Sequence, residues 1–102
     1  MIELKKDDEG NVISRTRTKL FIDKGKIYNY VVQLEHLVSC DWREVVRFNC
    51  SHGFVHKDIY NIEGKQIRKI DLGHFADLKD AVDMAERDIS QNHEKYVRKF
   101  RG

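Results

Sequence analysis

The sequence predicts an α+β domain, a four- to five-stranded antiparallel β-meander packed on one face by a long C-terminal α-helix. Three observations predict it. Between residues 14 and 72 the apolar side chains recur with period two, broken by short polar turn signals. From residue 77 to about 100 the period lengthens to 3.6, the repeat of a helix. The length of 102 residues, 40% of them hydrophobic, suits one domain over 1–102 with no linker.

Each element has its own reason. Ile2–Leu4 allows a short first strand, followed by the polar turn at 6–11. Ser14–Ile22 is a strand with Arg15, Arg17 and Lys19 along one side. Asp23-Lys24-Gly25-Lys26 signals a hairpin, because glycine accepts the positive φ of a tight reversal. Ile27–Val38 sets Tyr28, Tyr30, Val32 and Leu34 against Asn29, Val31, Gln33 and Glu35. After the turn at Ser39-Cys40-Asp41, strict alternation over Trp42–Cys50 puts Trp42, Val46, Phe48 and Cys50 on one face. It puts Arg43, Val45, Arg47 and Asn49 on the other. Ser51-His52-Gly53 reverses the chain into Phe54–Tyr60, and a turn at 61–65 leads to Gln66–Leu72. The helix stripe is Leu78, Ala81, Val82, Ala85, Ile89, His93, Tyr96 and Phe100, with Asp77 as N-cap. Asp80 and Asp83 near its start, and Lys95, Arg98, Lys99 and Arg101 near its end, suit the helix dipole.

Composition removes several function classes. Nineteen basic and seventeen acidic side chains give a net charge of +2, too small for strong non-specific attraction to nucleic acid. No apolar run approaches the roughly 20 residues that span a bilayer, and the charged start lacks a signal-peptide core. A cytoplasmic protein with no membrane partner is expected. Cys40 and Cys50 form no Cys-x-x-Cys pair and read as reduced thiols on half-buried strands. No dinucleotide fingerprint, P-loop, nucleophile elbow or magnesium carboxylate cluster is present, so no cofactor is expected.

The stretch richest in chemistry runs from Arg47 to Tyr60. His56, Asp58 and Tyr60 alternate along a strand and share a face. If His52-Gly53 sits near the turn centre, Phe48 lies opposite His56 and Val46 opposite Asp58. Arg43, Arg47 and Lys57 then form a basic row on the other face, and a slip of one residue changes the side Arg47 shares. Three readings compete. Metal-free RNA cleavage needs a base for the 2′-hydroxyl, an acid for the leaving oxygen and a cation for the phosphorane. His52 and His56 suit the proton roles and Arg47 the cation, with Asp58 or Tyr60 orienting His56. Cys50, His52, His56 and Asp58 are potential zinc ligands, but His-x-x-x-His converges only on a helix and Gly53 argues for a turn, so no metal is expected. A solvated polar hairpin without chemistry accounts for the same residues.

Other residues carry weaker signals. Arg15 and Arg17 beside Lys19 suit phosphate contact or blunt an edge strand, and Arg43 and Lys57 join them as candidate nucleic-acid contacts. Trp42, Tyr28, Tyr30 and Phe48 offer base stacking or, equally, a buried sheet face. His93 reads as a core or interface histidine, and His36 and His74 are isolated.

The segment Trp42-Arg43-Glu-Val-Val-Arg47-Phe-Asn-Cys-Ser-His52-Gly-Phe-Val-His56-Lys-Asp58 resembles a motif of small, mostly archaeal and bacterial uncharacterised domains. In these, an Arg-aromatic-Asp/Asn strand leads to His-Gly-Phe and a His-x-His/Asp strand. It is also faintly similar to the TumE-type toxins of prokaryotic toxin–antitoxin pairs. The resemblance covers residues 42–72, and it departs from the pattern at Cys50 and Asp58. It implies an RNA-directed, toxin-like activity, an antitoxin-like protein partner, and Arg47, His52 and His56 as site residues. The competing expectation is a non-catalytic interaction module, a homodimer using its open sheet face or helix, with Tyr28, Tyr30 or Trp42 as contact surface.

Overall fold

Six antiparallel strands form one sheet in the computed structural model, which describes residues 1–102. They are β1 (Ile2–Lys6), β2 (Val12–Asp23), β3 (Lys26–Val38), β4 (Asp41–Ser51), β5 (Phe54–Tyr60) and β6 (Gln66–His74), followed by helix α1 (Leu78–Arg101). Neighbours in the chain are neighbours in the sheet. The α+β class, the antiparallel meander and the covering helix agree with the expectation, but the strand count rises from four or five to six. The added strand is β1, which pairs Ile2 with Arg17 and Leu4 with Arg15 over a full five residues. No helix is long and apolar enough to cross a membrane.

Three successive hairpins close through two residues each: Lys24-Gly25, Ser39-Cys40 and His52-Gly53. All six residues have positive φ, the requirement of a type I′ turn, whose twist matches that of the strands. Cys40 is therefore an exposed turn residue rather than a half-buried strand residue, while Cys50 is buried, and both thiols are free.

The core lies between the sheet and α1. Tyr30, Val32 and Leu34 from β3, Val46, Phe48 and Cys50 from β4, and Val55 from β5 meet Ala81, Val82, Ala85, Ile89 and Phe100. Ala81 and Ala85 have no solvent exposure, and their small side chains let the helix lie close to the central strands. Asp77 caps α1 by accepting from the Lys79 amide at 2.9 Å. Tyr30, a candidate contact surface in sequence, is wholly buried. Its packing in the core removes it from any interface.

Polar ties fix the helix to the sheet at three places. Thr18 Oγ1 donates to Glu86 Oε2 at 2.6 Å. Lys57 Nζ donates to the Tyr96 hydroxyl at 2.9 Å, which donates to Asp88 Oδ2 at 2.7 Å. Arg101 donates to His36 Nε2 at 2.8 Å. An arginine has only donors, so Nε2 carries the lone pair, and Nδ1–H donates to Ser14 Oγ at 2.7 Å. Burial, reinforced by Arg101, pushes the His36 pKa down and keeps the ring neutral.

One irregularity decides which residues face solvent. Leu34 pairs with Val46 but Glu35 pairs with Glu44, so Val45 is the extra residue of a bulge. Val45 and Val46 are both buried in the core. Strict alternation fails at this point. Trp42 moves to the face away from the helix, where the Arg15 guanidinium lies 4.1 Å from its ring centre. Arg43 moves to the helix side, opposite His36.

Candidate functional site

The β4–β5 register differs by one residue from the expected one. Because His52 and Gly53 alone close the loop, Ser51 pairs with Phe54, Asn49 with His56, Arg47 with Asp58 and Phe48 with Lys57. The slip exchanges faces. Arg47 now shares the uncovered face with Asp58 and His56, while Lys57 turns to the helix side, its Nζ 3.6 Å from Asp88. The expected basic row of Arg43, Arg47 and Lys57 is therefore divided between the two faces of the sheet. Cys50 lies on the helix side and His56 and Asp58 on the other, so the sheet separates these potential metal ligands.

On the uncovered face the side chains form rungs. Arg47, Asp58 and Lys69 make one rung across β4, β5 and β6, and Asn49, His56 and Asp71 make the next. Asp58 is only 8% exposed; its Oδ2 accepts from Asn49 Nδ2 at 3.1 Å and its Oδ1 has no partner. Arg47 Nε and His56 Nδ1 are also buried without partners. Three unpaired polar atoms thus come from adjacent residues on one patch, although buried polar groups are ordinarily hydrogen-bonded. Arg47 Nη1 is held only loosely, 3.9 Å from Glu44 Oε1. The Tyr60 hydroxyl is pushed up mainly by burial, then by the carboxylates of Glu44 and Asp58, with Arg47 opposing, so it stays protonated at neutral pH. His52 is exposed at the turn. It stands beyond the Phe54 rung, itself roughly 7 Å along β5 from His56.

The β2 cations lie on the same face but are partly committed. Glu35, 5% exposed, accepts from Arg15 Nε at 2.5 Å and lies 3.5 Å from Arg17 Nη1. Gln33 Nε2 also donates to Glu35 at 2.5 Å. Lys19 forms no ion pair, and its Nζ stands 5.1 Å from the Phe21 ring centre.

Sequence reasoning named Arg47, His56, Asp58 and Tyr60 and aligned the last three in one row on β5, but set Arg47 on the opposite face. It missed Lys69 and Asp71 on β6 and the acidic partners Glu35 and Glu44. The alternation of Lys69 and Asp71 with Ile70 and Leu72 is the signal that marks the β6 pair. Their alignment with Asp58 and His56 depends on a bulge after Val55 that leaves no mark in composition.

No curated protein and no solved structure matches the chain. A family model described as a domain of unknown function, DUF7718, matches residues 2–102, which include every strand and the whole helix. The chain belongs to the DUF7718 family.

Proposed function

We propose that the uncovered sheet face acts on RNA by metal-independent acid–base chemistry. What supports this reading is the arrangement of Arg47 directly across from Asp58, with His56 and Tyr60 two residues to either side along β5. Each flanking residue lies roughly 7 Å from Asp58 along the strand. In-line displacement at phosphorus needs its base and its acid on opposite sides of the phosphate. A phosphate held by Arg47 would have His56 on one side to take the 2′-hydroxyl proton. Tyr60, protonated at neutral pH, would stand on the other to give its hydroxyl proton to the leaving 5′-oxygen. Arg47 would offset the negative charge of the phosphorane. His52, at the rim, would meet the flanking nucleotide. The toxin-type resemblance adds an antitoxin-like protein as the partner that would cover this face.

Incubation of the purified protein with mixed-sequence single-stranded RNA tests the reading. Cleavage that falls about 100-fold or more in His56→Ala is expected for a lost general base. Cleavage unchanged in that variant, or no cleavage by the natural chain, rejects it. The competing reading is a non-catalytic homodimer. It draws on Ile2 and Leu4, which are 55% and 54% exposed along the β1 edge. Sedimentation showing a dimer that Leu4→Lys dissociates would favour it.

A further inference from the structure

A groove of about 470 Å³ opens on the uncovered face beside Arg47, and no residue role above accounts for it. Arg17, Lys19 and Arg47 stand around it, Phe21 and Val31 give it an apolar lining, and Glu44 is its one carboxylate. The volume is in the range of small-molecule sites. Its charge is distinctive for a chain so evenly balanced, with three cations against one anion. Two of the cations are weakly engaged. Arg47 is 3.9 Å from Glu44, and Lys19 contacts only the Phe21 ring. Phe21 is half-buried, with its ring centre 6.1 Å from that of Tyr28. It therefore adds an aromatic ring, braced by Tyr28, to the lining of a cationic groove.

We propose that this groove binds a nucleotide of single-stranded RNA, its base stacked on Phe21 and its phosphates held by Arg17, Lys19 and Arg47. The inference rests on the RNA reading above and extends it. Arg47 lines both the groove and the Asp58 rung, so a strand seated on Phe21 would carry its next phosphate toward His56 and Tyr60. An aromatic face beside cations is the chemistry that recognises unpaired bases in any sequence. A duplex hides its base faces and is excluded from such a site.

The test is fluorescence anisotropy with a labelled 2′-O-methyl oligoribonucleotide, which binds but offers no 2′-hydroxyl for cleavage, against a duplex of the same sequence. Phe21→Ala is expected to weaken single-strand binding roughly tenfold or more, from the loss of one stacked base. Lys19→Ala is expected to make the slope of log affinity against log salt shallower by about 0.7, the loss of one phosphate contact. Phe21→Tyr, which keeps the ring, is expected to bind like the natural chain and guards against a folding artefact. Equal affinity for the duplex, binding indifferent to both Phe21→Ala and Lys19→Ala, or no binding at all would each overturn the proposal. The two readings fail separately. Groove-dependent binding with no cleavage of ordinary RNA leaves this inference standing and removes the acid–base one. Cleavage that depends on His56, with binding indifferent to Phe21 and Lys19, does the reverse.

Discussion

His36 and Gly53 show what single positions contribute. The imidazole of His36 is 3% exposed and fixed as the Nδ1–H tautomer between Ser14 and Arg101. In the unfolded chain it takes a proton near its ordinary 6.5, and in the fold only at lower pH. Within that interval the unfolded state binds more protons, so stability declines as pH falls below about 6.5 and is unaffected by this group above it. Thermal unfolding between pH 8 and pH 5 is expected to show a drop in Tm, and His36→Gln is expected to lose its share of that drop. At Gly53, φ is +82° and an added Cβ would sit 2.7 Å from His74 Nε2. The ring of His74 is able to swing aside, but the left-handed backbone is not relieved. Gly53→Ala is therefore expected to cost about 1–2 kcal/mol in denaturant titration, and removal of the His74 ring is not expected to recover it. The need for a glycine here was legible from the turn signal. The buried Ser14–His36–Arg101 chain was not, because its members are far apart in sequence and individually ordinary.

At the scale of elements, the helix's span was legible, with His93 in place of Met84 and Val97 on its stripe, and the sheet was legible only in part. A helix announces itself through one continuous repeat, and its stripe from Leu78 to Phe100 needs no knowledge of the neighbours. A strand's faces depend on counting, and two local events shift the count around β4. The bulge at Val45 exchanges Trp42 with Arg43, and the two-residue His52-Gly53 turn brings Arg47 to the side of Asp58. Both are products of backbone geometry rather than of side-chain pattern, so alternation alone is blind to them. Lys57 gives the clearest consequence. Candidate phosphate contact in sequence, it is instead the sheet's anchor for α1 through Tyr96 and Asp88. Lys57→Ala is expected to lower stability by on the order of 1 kcal/mol in urea unfolding. RNA affinity, measured by anisotropy, is expected to stay unchanged.

For the whole molecule, the small net charge conceals a division of labour. Glu35 absorbs much of the charge of Arg15 and Arg17, while Asp88 absorbs that of Lys57. Among the cations that line the groove, Lys19 and Arg47 stay weakly engaged beside a partly neutralised Arg17. Binding through Arg17, Lys19 and Arg47 is expected to give a salt slope of about −2 for a single strand, far from that of a strongly basic protein. A measured slope near zero would show that phosphate is not the ligand.

The order of the strands bears on how the chain is made. Because each strand pairs with the one synthesised just before it, the sheet is able to assemble progressively as the chain emerges. The helix that covers it comes last, at residues 78–101. At roughly 5–20 residues per second, those residues alone take on the order of seconds to produce. During that interval Val32, Leu34, Phe48 and Val55 have no lid. The nascent protein therefore passes through a stage as a sticky, one-sided sheet. Chain release before residue 78 would make that passing hazard permanent, exposing a surface suited to aggregation or to capture by a chaperone.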